Sequence, residues 1–156
     1  MNAYIGIDPG KNGGIAVIDG HGITAEVMPL HPDGEINVVS LQEFFVCLEE
    51  PIAAVEKVGA MPKQGVVSTF TFGKGYGKVL ACLEMLGIPY VLVTPQAWKK
   101  TVLEGLNWKG NKKASIEYCQ RRYPQLDLLA TPRSKVAHDG MADALCIAEY
   151  VRRTER

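Results

Sequence analysis

Four acidic side chains stand where acid–base or metal chemistry could be assembled. Asp8 closes the alternating stretch Tyr4-Ile5-Gly6-Ile7-Asp8 and runs directly into Pro9-Gly10. Glu56 follows the apolar run Ile52-Ala53-Ala54-Val55 and precedes a stretch rich in glycine and lysine. Asp139 and Asp143 are four residues apart, a spacing that puts both on one face of a helix. Carboxylates brought together repel one another unless cations neutralise them. Hard oxygen donors suit Mg2+ or Mn2+, and two such ions ~3.5–4 Å apart can activate a water and stabilise the leaving oxygen of a phosphodiester. Each residue also has a plainer reading. Asp8 would serve as a turn residue, Glu56 as an exposed strand end, and Asp139 as a helix cap. The chemistry requires all of them at one place.

The elements that must position them are legible as patterns. Residues 4–8, 15–18 and 23–28 read as strands joined by tight turns, Pro9-Gly10 with Asn12-Gly13-Gly14 and then Asp19-Gly20, which makes an antiparallel meander. Ser40-Leu41-Gln42-Glu43 reads as a capping box opening a helix that Pro51 ends. Leu41, Phe44, Phe45 and Leu48 form its apolar face. Residues 52–55 form a buried strand leading to Glu56, and 57–67 a loop. A helix over 68–86 shows Val79, Leu80, Leu83 and Leu86 on one side and stops at Gly87 and Pro89. A strand at 90–93 leads to Thr94-Pro95, with proline at the first helical position. Helices over 112–122 and 139–153 follow, separated by a loop at 124–138. The order β-β-β-α-β-α-β-α-α-α predicts a mixed α/β fold: a five-stranded sheet, meander first and parallel strands after, with helices on both faces. If the strands bearing Asp8 and Glu56 are neighbours, the last helix need only lean over the same sheet end.

Composition narrows the function classes. The length of 156 residues fits one domain, 1–156, and 47% apolar residues suffice for a globular core. No apolar run reaches the ~18 residues of a membrane span. The start of the chain lacks the basic–apolar–small order of a secretory signal, so the expected compartment is the cytoplasm. Cys47, Cys82, Cys119 and Cys146 form no metal-binding spacing and read as small buried hydrophobes. The net charge of zero conceals an asymmetry: residues 1–93 carry 5 Lys/Arg against 10 Asp/Glu, and residues 94–156 carry 12 against 7. Basic pairs recur at Lys99-Lys100, Lys112-Lys113, Arg121-Arg122, Arg133 with Lys135, and Arg152-Arg153. Singly, such clusters are solvated helix faces; collectively they suit a polyanion, because phosphate neutralisation is local.

In this order the motifs resemble the RuvC-type Holliday junction resolvases. Ile5-Gly6-Ile7-Asp8-Pro9-Gly10 with Gly13-Gly14-Ile15-Ala16 is similar to their first strand, and Val55-Glu56-Lys57-Val58 to their second acidic motif. Phe72-Gly73-Lys74-Gly75-Tyr76-Gly77 resembles the next helix and Thr94-Pro95-Gln96-Ala97-Trp98-Lys99-Lys100 the lysine-bearing segment. His138-Asp139-Gly140-Met141-Ala142-Asp143-Ala144-Leu145 resembles the C-terminal acidic helix, and Met61-Pro62-Lys63-Gln64-Gly65 looks closest to compact phage and prophage members. The resemblance implies a ribonuclease H-like fold and a homodimeric endonuclease that nicks four-way DNA junctions in pairs, leaving 5′-phosphate and 3′-hydroxyl ends. It implies that Asp8, Glu56, Asp139 and Asp143 are catalytic and hold two Mg2+ or Mn2+ ions. It further implies DNA contacts from Lys57, Lys63, Gln64, Lys74, Lys99 or Lys100, and Lys112 or Lys113.

Two departures stand out. Many bacterial members space the last two acids by three residues, which would put the first at Gly140, with His138 as an extra candidate ligand. The aromatic wedge three residues beyond the second acid falls at Gly59. Met61, Phe70 or Phe72 would have to stack at the branch instead, although core packing is the plainer role for both phenylalanines. Gly73 and Gly77, four apart, fit a helix–helix dimer contact, packing on the protein's own sheet, or a helix that begins after Gly77. Rival readings are an actin-type or heat-shock-type ATPase, which would need a second such domain, a YqgF-like nuclease acting on RNA, and a non-catalytic binder of branched DNA.

Overall fold

A computed structural model describes residues 2–155. The elements run β1 (Tyr4–Asp8), β2 (Gly14–Ile18), β3 (Ile23–Val27), α1 (Val38–Phe45), β4 (Ile52–Glu56), α2 (Val66–Met85), β5 (Tyr90–Val93), α3 (Pro95–Val102), α4 (Ala114–Arg122) and α5 (Asp139–Thr154). The strands form one sheet in the order β3-β2-β1-β4-β5. β1, β2 and β3 pair antiparallel, and β4 lies parallel to both β1 and β5. The meander and the parallel crossovers are therefore both present, with β1 and β4 adjacent.

Alternation along the strands sorts the side chains into two layers. Ile5, Ile7, Ile15, Val17, Ala53 and Val55 pack with Leu41 and Phe45 of α1 and Val79, Cys82 and Leu83 of α2. Ala16 and Ala54 face the other way, into the layer made by α3, α4 and α5. Gly6 and Gly14 share that second face by the same period of two, and so do Asp8 and Glu56. The β1–β4 register sets Gly6 opposite Ala54 and Ile7 opposite Val55, so the two acids end neighbouring strands side by side.

Small residues on that face let α5 lie almost on the backbone of the sheet. A Cβ on Gly6 would collide with the Ala144 carbonyl and the Ala148 N–H and come within 2.9 Å of Ala148 Cα. A Cβ on Gly14 would stand 2.7 Å from the Gly140 carbonyl oxygen. The far end of α5 is fastened by a buried charge. Glu149, 1% exposed, accepts from Tyr123 Oη at 2.8 Å, from Arg152 Nε and Nη2 at 2.8 Å each, and from Arg153 Nε at 2.7 Å. Arg153 continues to the Thr101 carbonyl at 3.1 Å and Tyr118 Oη at 2.9 Å, tying α3, α4 and α5 together. Burial alone would raise the Glu149 carboxyl, but hydrogen bonds from both arginines and Tyr123 outweigh it and hold the group at about 2.

Several boundaries differ from the sequence patterns. The α1 cap is Asn37, whose Oδ1 accepts from Ser40 N–H at 3.2 Å, so Ser40 lies inside the helix and no capping box forms there. That helix ends at Phe45, well before Pro51. α2 begins two residues earlier than its pattern, at Val66, where the Ser68 and Thr69 hydroxyls donate to the Gly65 carbonyl at 2.9 Å. α4 starts at Ala114, because Asn111 Oδ1 accepts from Lys113 N–H at 3.0 Å and holds the preceding turn. Helix α2 passes unbroken through Gly73 and Gly77, and nothing lies within 4 Å of a Cβ built on either. Both glycines therefore face outward, which removes the readings of packing on the sheet and of a late helix start. Phe70 is 72% exposed, so its expected core role is corrected, whereas Phe72 is half-buried and stacks on Tyr76. Among the cysteines, Cys82, Cys119 and Cys146 are buried and free, and Cys47 is exposed. No helix among the described residues is long and apolar enough to cross a membrane.

Gly6→Ala should lower the free energy of unfolding by about 3 kcal/mol, the upper range for overpacking a close contact. Urea denaturation measures it, and a loss below ~0.5 kcal/mol would mean that α5 yields at no cost.

Candidate active site

Asp8 and Glu56 end β1 and β4 on the face that α5 covers, and Asp139 and Asp143 lie on the first two turns of α5. Their charges act on one another. Burial first, then the charges of Glu56 and Asp143, push the Asp8 carboxyl from the ordinary 3.8 up to about 7, against a hydrogen bond from the Gly10 backbone and with a further push from Asp139. Burial and the Asp143 charge also raise Glu56, opposed by a hydrogen bond from Trp98 and the nearby Lys99. Asp143 is raised by burial and by Asp139, and eased by the Ser115 hydroxyl and Lys99. The four acids from three distant stretches of sequence thus belong to one electrostatic cluster.

The spacing departure at Gly140 has a steric cause. A Cβ there would collide with the Asn12 carbonyl and stand 2.7 Å from Gly13 Cα, because the start of α5 rests on the β1–β2 turn. No side chain fits at 140 in this packing, and the first acid of the helix stands one residue earlier, at exposed Asp139. Asp139 is not the helix cap, however. His138 takes that role, its Nδ1 accepting from Met141 N–H at 3.2 Å, while Asp139 Oδ1 accepts from Gly140 N–H at 3.0 Å.

Oxygen donors only, none of them in an ion pair with Lys or Arg among the described residues, fit a hard divalent cation. They do not form a closed cage: no group of three Asp, Glu, His or Cys side chains among the described residues stands ready-made around a cation position. Two of the arms are held by protein. Trp98 Nε1 donates to Glu56 Oε2 at 2.7 Å, and Asp139 bonds to its own helix. A cleft of about 860 Å³ opens beside Asp8, lined by Gly10, Ile36, Val66, Thr71 and Phe72 among others.

The basic candidates separate by environment. Lys99 is half-buried, its Nζ 5.3 Å from the Trp98 ring centroid, and its charge acts on both Glu56 and Asp143. Lys100 is exposed on the same helix, and Lys57 is exposed immediately after Glu56. Lys112 and Lys113 are exposed ahead of α4, which carries Ser115. Lys63 is exposed with a positive φ of 67°, and the Gln64 Oε1 beside it accepts from Met61 N–H at 3.2 Å, closing its own loop. Lys74 is paired with Glu35, which Lys78 also bonds at 2.8 Å. Trp98 and Ser115 were not singled out from the sequence. Only Trp98 left a signal, since Trp98 and Val102 share one face of a short helix and a buried indole N–H requires an acceptor.

No family model matches the chain, and no curated protein matches it in sequence. In three dimensions it is similar to T. thermophilus RuvC in complex with a Holliday junction substrate, with a TM-score of 0.62 and 20% identity over 99% of this chain and 97% of that one. A second RuvC structure from Thermus thermophilus gives 0.60 and 21% over 97% and 96%. The likeness shows the fold expected above, a ribonuclease H-like mixed sheet.

The raised Asp8 pKa has a stability consequence in metal-free protein. Between about 4 and 7 the native state holds more protons than the unfolded chain, so stability should fall as pH rises through that window, by on the order of 4 kcal/mol. Asp8→Asn should flatten the decline and be more stable than the parent at pH 8, as read by thermal unfolding in EDTA. A parallel decline in both proteins would refute the coupling.

Proposed function

We propose that this chain is a structure-selective DNA endonuclease that resolves four-way junctions by paired nicking, with Asp8, Glu56, Asp139 and Asp143 as its metal ligands. The observation that carries the reading is the carboxylate cluster at the ends of β1 and β4 and the start of α5, in a fold shared with RuvC. Asp8, Glu56 and Asp143 are raised by burial and neighbouring acids, and none of the four is in an ion pair among the described residues. Divalent cations, Mg2+ or Mn2+, two of them by the chemistry of phosphodiester cleavage, would supply charge neutralisation and an activated water there.

The chain's own residues divide the remaining work. Trp98 and the Gly10 backbone hold Glu56 and Asp8 in place. Lys99 sets a positive charge beside Glu56 and Asp143, near where a phosphate would sit. Exposed Lys57, Lys100, Lys112 and Lys113 supply phosphate contacts around that centre. Lys63, and Gln64 from its closed turn, reach the substrate from the loop after β4. Lys74 joins them only by leaving Glu35. The cleft beside Asp8 provides the concave surface that a strand entering the site would cross.

Paired nicking needs two active sites. Val66, Phe70, Gly73 and Gly77 recur at helical spacing along an exposed face of α2, and Val66 and Phe70 are 85% and 72% exposed. Apolar side chains and two glycines in one open stripe support pairing of α2 with its copy in a second subunit.

Asp143→Asn should slow nicking of a labelled four-way junction in Mg2+ by more than ~100-fold, beyond the ~10–100-fold cost of losing an outer partner of a metal ligand. Junction binding measured in EDTA should persist. Retained nicking would refute the ligand assignment, and preferential cleavage of an RNA substrate would replace junction DNA as the target. Sedimentation should give a dimer for the parent and a monomer for Phe70→Asp; a monomeric parent on a junction would end the paired-nick reading.

A further inference from the structure

The side chain that holds Glu56 is an unusual choice for the purpose. Trp98 is wholly buried, the largest such side chain among the described residues, and it packs in the layer formed with Val93, Val102, Leu103 and Leu145. A buried indole must satisfy one donor and can accept nothing. Here that donor meets Glu56 Oε2 at 2.7 Å, a carboxylate of the acidic cluster.

The route that brings it there is short and stiff. Val93 of β5 stands opposite Glu56 of β4 in the parallel register, and the Lys57 N–H donates to the Val93 carbonyl at 2.7 Å. Thr94 follows at once as the α3 cap, its Oγ1 accepting from Ala97 N–H at 3.2 Å, with Pro95 in the first turn. One turn later Trp98 returns to the strand end it has just left. The indole is thus fixed to the same pair of strands that carries Glu56, and its orientation is locked by burial on every side. Glu56 Oε1 has no hydrogen-bond partner among the described residues.

We infer that Trp98 is a positioning residue of the acidic site: its indole N–H fixes Glu56 Oε2, so that Glu56 offers a cation its other oxygen in a set orientation. The inference rests on the metal reading proposed above. An outer hydrogen bond of this kind orients a ligand and raises the affinity of the site for its ion. Packing alone would require only a ring at 98, whereas positioning requires the N–H.

Trp98→Phe keeps a buried ring and deletes the donor. In the full chain, Mn2+ affinity read from the electron paramagnetic resonance of free Mn2+ should fall 10–100-fold, with junction binding in EDTA unchanged. A purely structural role would lower the metal-free melting temperature and leave Mn2+ affinity alone. A second measurement needs no variant: on titration with Mg2+, the Trp98 indole 1H–15N resonance of the parent should shift saturably while that of Trp108 stays. Parental binding with Trp98→Phe within threefold of it, or an unmoved Trp98 resonance in a protein that takes up Mn2+, overturns this inference alone. A parent that takes up no Mn2+ overturns the metal reading of the site, and this inference with it.

Discussion

The approach of α5 to the first two strands sets the position of everything else in the site. A helix usually stands off a sheet by the thickness of its side chains, and here the facing positions have almost none: Gly6 and Gly14 on the sheet, Gly140, Ala144 and Ala148 on the helix. Backbone meets backbone, which leaves little freedom for the helix to slide or roll, because packed interiors do not deform continuously. Two acids on α5 are thereby delivered to the strand ends that carry two more. The same contact excludes a side chain at residue 140, so the four-residue spacing of Asp139 and Asp143 follows from how closely the helix lies on the β1–β2 turn.

Electrostatics at the two ends of α5 run in opposite directions. At the start, burial and like charges make ionised carboxylates costly, and Asp8 is raised to about 7. At the end, Glu149 is buried more fully, at 1% exposed, but two arginines and Tyr123 surround it and hold it at about 2. One carboxylate is fully paired inside the protein and stabilises it at neutral pH; the others form no ion pair among the described residues, and only the Lys99 charge eases Glu56 and Asp143. The difference is one of partners, since both environments are desolvated. Strain of this sort is a common property of binding and catalytic sites, where stability is given up locally and recovered elsewhere in the fold.

Strand patterns and acid positions were readable because both depend on short-range regularities: a period of two ends β1 at Asp8 and β4 at Glu56, and a spacing of four joins Asp139 to Asp143. What escaped depends on competition or on tertiary contact. Ser40 with Glu43 has the form of a capping box, yet Asn37 is three residues upstream and captures Ser40 N–H first. Phe70 looks like core from composition, but α2 turns that face outward while Val79, Cys82 and Leu83 turn inward. His138 caps α5 in place of Asp139, a choice between neighbours that sequence leaves open. The bond from Trp98 to Glu56 spans 42 residues and exists only because β5 lies beside β4. The order of strands in the sheet is what makes it, and no local pattern encodes it.

The distribution of basic side chains bears on the proposed substrate more than the net charge does. Arg152 and Arg153 both pair with Glu149, and Lys74 and Lys78 both pair with Glu35, so these four cations are engaged inside the protein, two to each carboxylate. Exposed lysines outside those pairs include Lys100 on α3, Lys112 and Lys113 ahead of α4, and Lys57 just after β4, while the half-buried Lys99 acts on Glu56 and Asp143. A phosphate backbone approaching the carboxylates would otherwise be repelled by them, and cations bound there remove that repulsion only locally. Flanking lysines extend the favourable field beyond the site, within roughly one Debye length of ~8–10 Å. An acidic centre with a basic surround would admit a polyanion while keeping its reactive phosphate over the carboxylates, and that is what the proposed function asks of a chain whose two halves carry opposite charge.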